Sequence, residues 1–410
     1  MRRALRHPSF RRLLAASTVS RWGDTFSSVA LVVLVYRLTG SGLKVGVAVA
    51  FEILPVLALG FVAGAVVDRF PRRRVMVAAD VGRAAIALAL AVSHDNLGVV
   101  YAAAFGLSAL TVFFNPASSS AVPSVVAADE LAGANAALWS AAVLSQIALA
   151  PAAGALVAWA GPGPAFVVNA ASFALSAALL AGLALPAAPA AAAARRWDQL
   201  AEGLRTVRAS PLLRTLAGVQ ALAALSAGAT SALLVVLAER HLGVGPGRFG
   251  LLIGAIGVGA GVGPLVLQRV IADVRRPGLL YGPYLLRGGV DLVLAAFSSF
   301  PVALGALVAY GVGTSTGMVT WNTVLQSSVP DRVRGRVLAF YDMVWQSSRL
   351  ASIGVGGVLA DAVGIRAVYV LGGALLLAAG GLGLASRTSA GPPPAPPPAA
   401  GGPGRGGSPA

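Results

Sequence analysis

The 410-residue chain contains no cysteine, a single lysine and three histidines. Disulfides and thiolate metal ligands are therefore excluded. His7, His94 and His241 lie far apart and form no ligand pair, so neither a metal nor any other cofactor is expected. Lys44, the only lysine, sits in no phosphate-cradling glycine loop, which excludes a built-in ATP-hydrolysing site. Charge is scarce as well. Asp, Glu, Lys and Arg make up 11% of the residues, against roughly 25% in a soluble domain. The acids are too scattered to suggest a membrane enzyme, and none is expected.

What is abundant is apolar sequence, 57% of the chain. A helix needs roughly 20 largely apolar residues to cross the hydrocarbon core of a bilayer. Twelve stretches qualify, over 13–38, 45–67, 75–93, 98–120, 136–160, 164–185, 215–238, 248–272, 278–297, 301–325, 336–360 and 365–386. The fold class this implies is all-α integral membrane, in a lipid bilayer. A net charge of +16 would suit nucleic acid, but the placement of the positive residues argues otherwise. With the N-terminus in the cytoplasm, 22 of the 31 Lys and Arg fall in cytoplasmic segments, five on the opposite side and four inside spans. That asymmetry is the positive-inside rule. No nucleic-acid partner is expected, and both termini are expected in the cytoplasm.

Met1 to Arg12 resembles the basic start of a signal peptide. The apolar stretch that follows is long, carries Arg21 and Asp24, and offers no small-residue cleavage site, so an uncleaved first span is the better reading. The chain divides into a six-helix half over 1–185, a linker over 186–214, a second six-helix half over 215–386 and a Pro/Gly/Ala tail over 387–410. The tail cannot bury a core and reads as disordered. In the linker, Trp197, Leu200 and Leu204 fall on one helical face, which predicts a short amphipathic helix on the inner membrane surface.

The halves repeat. A shift of 203 residues lays Arg37-Leu38-Thr39-Gly40 on Arg240-His241-Leu242-Gly243 and Arg72-Arg73 on Arg275-Arg276. It also lays Val126 on Val329, Gly154-Ala155-Leu156 on Gly357-Val358-Leu359, and Gly161 on Gly364. A parallel six-plus-six repeat is the pattern of transporters whose halves rock about a site near the bilayer midplane.

At this point the residues resemble a known family. Gly64-Ala65-Val66-Val67-Asp68-Arg69-Phe70-Pro71-Arg72-Arg73-Arg74 is similar to the major facilitator signature G-x-x-x-D-R-x-G-R-[KR], with Pro71 in place of a glycine. Val329-Pro330-Asp331-Arg332-Val333-Arg334-Gly335-Arg336-Val337 resembles the V-P-x-x-x-R-G-R-V run of the branch holding the enterobactin exporter and the macrolide efflux proteins. The resemblance implies the major facilitator fold and a monomer working by alternating access. It also implies a gate role for Gly64, Asp68, Arg69, Arg72 and Arg73, which latch the cytoplasmic ends of spans 2 and 11 when the transporter faces outward. Asp80 and Arg83, at the start of span 3, are expected beside that gate, and Asp342 at its span 11 side. Pro151 and Gly154 belong to a sequence resembling the G-P-x-x-G-G antiporter motif, which implies export.

A charge at a helix centre costs about 2.5–3.5 kcal/mol on insertion scales, so charges inside spans usually serve an aqueous cavity. Asp24 lies near the midplane of span 1 with Arg21 three residues before it on the same face. Glu52 lies in the outer half of span 2. Either acid is a candidate to carry protons; the alternative is an Arg21–Asp24 pair that only neutralises itself. Arg287 and Asp291 share a face of span 9, and Asp342, Gln346 and Arg349 a face of span 11. Arg349 would suit an anionic or polar substrate, or pair structurally with Asp291 or a neighbouring span. The expectation is proton-coupled efflux of a drug, macrolide or siderophore-like metabolite from a bacterial cell. A nutrient importer with the same fold, or a permease partner of a separate ATPase, remains the alternative.

Overall fold

A computed structural model of the chain describes residues 3–183, 185, 196–270 and 276–386. The Ala/Pro run that opens the linker, the repeat pair at Arg275 and the tail lie outside the described residues, as do the side chains of Asp331 and Arg332. Six long helices come first: α1 (Pro8–Thr39), α2 (Gly42–Arg69), α3 (Arg72–Val92), α4 (Leu97–Ala121), α5 (Leu131–Ala160) and α6 (Gly163–Ala181). The linker helix α7 (Arg196–Ala209) precedes six more: α8 (Pro211–Ala232), α9 (Pro246–Val270), α10 (Pro277–Ala296), α11 (Phe300–Ser328), α12 (Asp331–Ala362) and α13 (Ile365–Ala385). Each of the twelve apolar stretches falls largely on one of these helices, with 164–185 and 215–238 running past the ends of α6 and α8. Among the described residues, nine helices are long and apolar enough to cross a membrane. The three long helices outside that set are α1, α10 and α12, which hold Arg21 and Asp24, Arg287 and Asp291, and Asp342 and Arg349. Glu52 on α2 and Asp80 and Arg83 on α3 are the intramembrane charges carried by helices that do qualify.

The packing repeats as the sequence does. In the first half α1 packs on α5 and α6, α2 on α4, and α3 on α4 and α6. In the second, α8 packs on α12 and α13, α9 on α11, and α10 on α11 and α13. Two seams join the halves, α5 with α9 and α2 with α12, and each is the other's repeat. Turns repeat too. Among the described residues the glycines with positive φ are Gly40 (61°), Gly161 (80°), Gly243 (64°) and Gly364 (106°), two pairs separated by the 203-residue shift. Each ends a run between antiparallel neighbours in a backbone region that side chains avoid, so the repeat preserves the reversals.

One end of the molecule is closed. There the largest apolar core runs continuously from Val29–Tyr36 of α1 through Val157 of α5 to Leu233–Leu237, Phe249 and Tyr369 of the second half. At the opposite end, where the linker attaches, the core splits into one cluster per half. The linker forms a helix as expected, although the side chains of Trp197 and Leu200 on its predicted apolar face lie outside the described residues. It packs on α12 and α8, buries Val207, and pairs Glu202 with Arg336 of α12. A methyl group at Gly203 would sit 2.6 Å from the Arg336 carbonyl oxygen, so the glycine lets the two backbones touch.

Candidate functional site

Beneath the closed end lies a cavity of about 240 Å³ between the halves. Ser28 and Val32 of α1 and Glu52 of α2 line it from one side; Asp291, Tyr310 and Arg349 line it from the other. Glu52 is held in the first third of α2, where the Ser108 hydroxyl donates to its backbone carbonyl, three residues before Pro55. Arg349 therefore shares a chamber with both Glu52 and Asp291, rather than serving Asp291 alone. Asp291 is buried and accepts a 3.3 Å hydrogen bond from Ser226 of α8.

Asp24 sits at the middle of the 32-residue α1. It precedes Ser28 by one turn and follows Arg21 by three residues, so all three share the face that lines the cavity further up. Both charged side chains are exposed, and the described ion pairs include none between them. The self-neutralising pair is thus not formed. On its other faces α1 is packed: Trp22 donates to Ser145 of α5 at 2.9 Å, and Gly23 abuts Asn169 and Ser172 of α6.

Arg287 does not join Asp291 in the central cavity. It lines a second chamber of about 380 Å³ within the second half, walled by α8, α10, α11 and α12. Its guanidinium lies 4.7 Å over the Tyr310 ring and donates to the Tyr310 hydroxyl at 2.9 Å. Arg287 and Tyr310 form the partition between the chambers. Asp342 is exposed and lines this second chamber too, instead of meeting the signature loop. Gln346 lines neither chamber, and its buried Oε1 has no hydrogen-bond partner. Gly313 and Gly317 make room for the Arg287 stem and Pro283.

Among the described residues, the contacts of the gate candidates stay within the first half. Asp68 and Arg69 are exposed, and Arg69 stacks 6.0 Å over its neighbour Phe70. Arg72 donates to the Ser120 carbonyl at 2.8 Å and to Ser124 at 2.9 Å, and Arg73 to the Ala181 carbonyl at 3.4 Å. All of these contacts stay within the first half, as the open end requires. Gly64, one turn before Asp68, is half-buried. Asp80 and Arg83 are not beside the gate. They are 0% and 1% exposed, paired with each other, with the guanidinium 4.3 Å from both the Phe114 and Phe173 rings. The sequence shows their i, i+3 spacing but not that α4 and α6 enclose them.

The closed end is held by residues that sequence reasoning missed. Asp361, at the end of α12, accepts from Ser41 at 2.6 Å and from the backbone amides of Gly42 and Leu43 at 2.8 and 3.0 Å. Arg240 lies 3.6 Å from Asp361, 5.6 Å over the Tyr36 ring, and donates to the Gly40 carbonyl. A π turn over Leu237–His241 carries Arg240 to this point. The signal available was the repeat itself, which lays Arg37 on Arg240. Beside this latch, Gly154 packs against α9: a methyl there would sit 2.5 Å from the Pro246 carbonyl oxygen and 2.9 Å from the Gly250 Cα. Pro151 meets Gly254. The antiporter-like sequence therefore builds the α5–α9 seam, and Gly357, the repeat of Gly154, packs on Leu43 in the α2–α12 seam.

Two pseudo-symmetric six-helix halves around a cavity at their interface define a membrane transporter of the major facilitator fold, not an enzyme. The chain belongs to the transmembrane secretion effector family, which it matches over residues 3–392. It is 29% identical over 389 residues to the multidrug efflux pump Tap of Mycobacterium tuberculosis, covering 90% of this chain and 91% of that protein. It is 26% identical over 375 residues to the enterobactin exporter EntS of Escherichia coli, covering 87% of this chain and 86% of the exporter. Among solved structures, a bacterial homologue of the human lysosomal transporter Spinster, inward-facing and unoccupied, superposes with a TM-score of 0.72 at 15% identity, covering 93% of this chain and 98% of that one. A bacterial homologue of the iron transporter ferroportin gives 0.72 at 18% identity, covering 92% and 98%. The protein is a multi-pass transporter of small molecules in the bacterial inner membrane.

Proposed function

We propose that the protein exports a small amphipathic molecule by alternating access, drawing on proton entry, as a monomer with its linker and both termini in the cytoplasm. In this reading 1–185 and 215–386 are the moving halves, and the conformation described here is open to the cytoplasm. The observation that carries the reading is the central cavity, sealed at one end and charged from both halves by Glu52, Asp291 and Arg349. A rocking motion would expose those groups to the two sides in turn. The similarity to the multidrug pump and the enterobactin exporter supports export. The 22-to-five charge asymmetry supports the orientation.

Asp24 is assigned the coupling role because it sits at mid-helix on the face that opens toward the cytoplasmic end. Arg21, one turn away, is placed to hold its charge in one state and release it in the other. Glu52, deeper toward the closed end, contacts substrate. Efflux from cells expressing the protein, with and without an uncoupler, tests direction and coupling together. Asp24→Asn should abolish gradient-driven efflux while binding by the purified protein persists, whereas Glu52→Gln should change which compounds are recognised. Uncoupler-resistant accumulation of substrate inside the cells would instead select the importer. A single cysteine at Arg205, introduced into this cysteine-free chain, should be unreactive to an impermeant maleimide added to intact cells.

A further inference from the structure

The chamber inside the second half has an aromatic wall and charges of its own. Four aromatic side chains, Tyr284, Trp321, Tyr341 and Trp345, line it. Trp321 and Tyr341 meet edge to face at 5.3 Å, which fixes the wall. Tyr341 is anchored by its hydroxyl, which donates to the Leu213 carbonyl at 2.6 Å. The chamber has one charge of each sign, and neither is spent. Arg287 is 7% exposed, and its Nε has no hydrogen-bond partner. Its guanidinium touches the Tyr310 hydroxyl but, among the described residues, no carboxylate. Asp291, one turn on, is engaged by Ser226 and lines the other cavity. Asp342 stands exposed on α12 and likewise has no cationic partner among the described ion pairs.

A buried guanidinium that hydrogen-bonds no carboxylate keeps unmet donor capacity, which a ligand or trapped water can satisfy. Bidentate donors in a fixed fork select a carboxylate-like oxygen pair. Tryptophan and tyrosine faces accept a flat ring and tolerate a cationic edge. Asp342, at the wetter side, would take that cationic edge. A ligand that satisfies all three elements is planar and aromatic, with an acidic group at one end and a basic nitrogen at the other. We propose that this chamber is a second binding site, distinct from the cavity between the halves, and that it takes a planar aromatic zwitterion. The inference rests on the export reading only for its role: the site would load substrate from the cytoplasmic end before passage beyond the Arg287–Tyr310 partition.

The test is equilibrium binding to the full-length protein in lipid nanodiscs, with norfloxacin as the zwitterionic probe. Nalidixic acid, which lacks the basic amine, and norfloxacin methyl ester, which lacks the acid, are the comparisons. Wild-type protein should bind norfloxacin at least about tenfold more tightly than either, since a charge-assisted hydrogen bond is at stake in each case. Asp342→Asn should erase the preference over nalidixic acid, and Asp342→Glu should restore it. Arg287→Gln should erase the preference over the ester, with Arg287→Lys restoring part of it. Each variant's melting curve separates loss of binding from loss of fold, and the exposed Asp342 pair keeps the test valid if Arg287→Gln unfolds. No binding of norfloxacin by wild-type protein, or equal binding of all three quinolones, overturns the proposal. If the affinities behave as stated while cells show no efflux, the export reading fails and the second site stands.

Discussion

The Asp361 carboxylate accepts the hydroxyl of Ser41 across 2.6 Å, and through this contact the last turn of α12 holds the first turn of α2. The same carboxylate takes the amides of Gly42 and Leu43, which begin α2 and have no partners within the helix. A negative charge at a helix N-terminus is favoured by the helix dipole. One acid of the second half thereby caps a helix of the first. Arg240 reinforces the arrangement from the π turn beyond α8 by bonding the Gly40 carbonyl at the end of α1.

Removing that acid should open the closed end. Hydrogen bonds to a charged group are worth about 1.5–3 kcal/mol, and the lower figure applies to Asp361, whose side chain is 31% exposed. About tenfold more of the oppositely opened state is therefore expected for Asp361→Ala. A cysteine at Ser231, in the wall of the central cavity, should react correspondingly faster with an impermeant maleimide added at the closed side. An unchanged rate would show that the apolar core alone seals this end.

The latch should also be indifferent to pH across the physiological range. Burial raises the Asp361 pKa, but the bonds from Ser41, Leu43 and Gly42 and the charge of Arg240 outweigh it, leaving the group below its ordinary value. A depressed carboxyl contributes stability that is complete above its unfolded pKa, about 3.9, and is lost as pH falls through the folded value. Spin-label distances across the closed end should accordingly be constant from about pH 8 to pH 5 and lengthen only in stronger acid. Lengthening near neutrality would assign the closure to another group.

Bulk at the seam should act in the same direction as loss of the latch. A Cβ at Gly250 would sit 2.4 Å from the Ala150 carbonyl oxygen, a backbone atom that cannot step aside. Overpacking of this kind costs about 1–3 kcal/mol. Gly250→Ala and Gly154→Ala should each depopulate the closed-end conformation, read by the same cysteine at Ser231. Wild-type reactivity in both would place the moving seam elsewhere.

Asp68→Asn should slow transport at unchanged thermal stability of this conformation, because among the described residues Asp68 forms no ion pair or hydrogen bond with the second half. By contrast, Arg83→Gln should be strongly destabilising. Breaking a buried pair by removing one partner costs about 3–5 kcal/mol, and Phe114 and Phe173 would lose the cation between them. Asp80→Asn combined with Arg83→Gln should recover part of the loss. Melting of the purified variants with a transport assay checks both expectations, and the opposite ranking would reverse the assignments.

The spans and the repeat were readable because a bilayer fixes helix length, and a shift of 203 residues carries turn glycines onto turn glycines. Gly40 with Gly243 and Gly161 with Gly364 turned out to be the reversals themselves. The destinations of the charges were less readable. Helical spacing puts Arg287 and Asp291 on one face, yet one turn of rise separates them enough to line different chambers. Asp80 and Arg83 look like gate neighbours in the sequence, and only the packing of α4 and α6 encloses them. Asp361 and Arg240 escaped notice because charges at span ends read as topology, and their partners are backbone groups about 320 and 200 residues away.

The glycine and alanine seams carry a consequence for how selectivity can change. Where Gly154, Gly250 and Gly357 let the halves approach backbone to backbone, the bearing surface is smooth at those points. The groups proposed to meet substrate lie on other helix faces, Glu52 and Arg349 between the halves and Trp321 and Asp342 within one of them. Hinge and recognition therefore draw on separate residues. The compounds this scaffold accepts can drift by substitution in the chambers without retuning the motion that carries them.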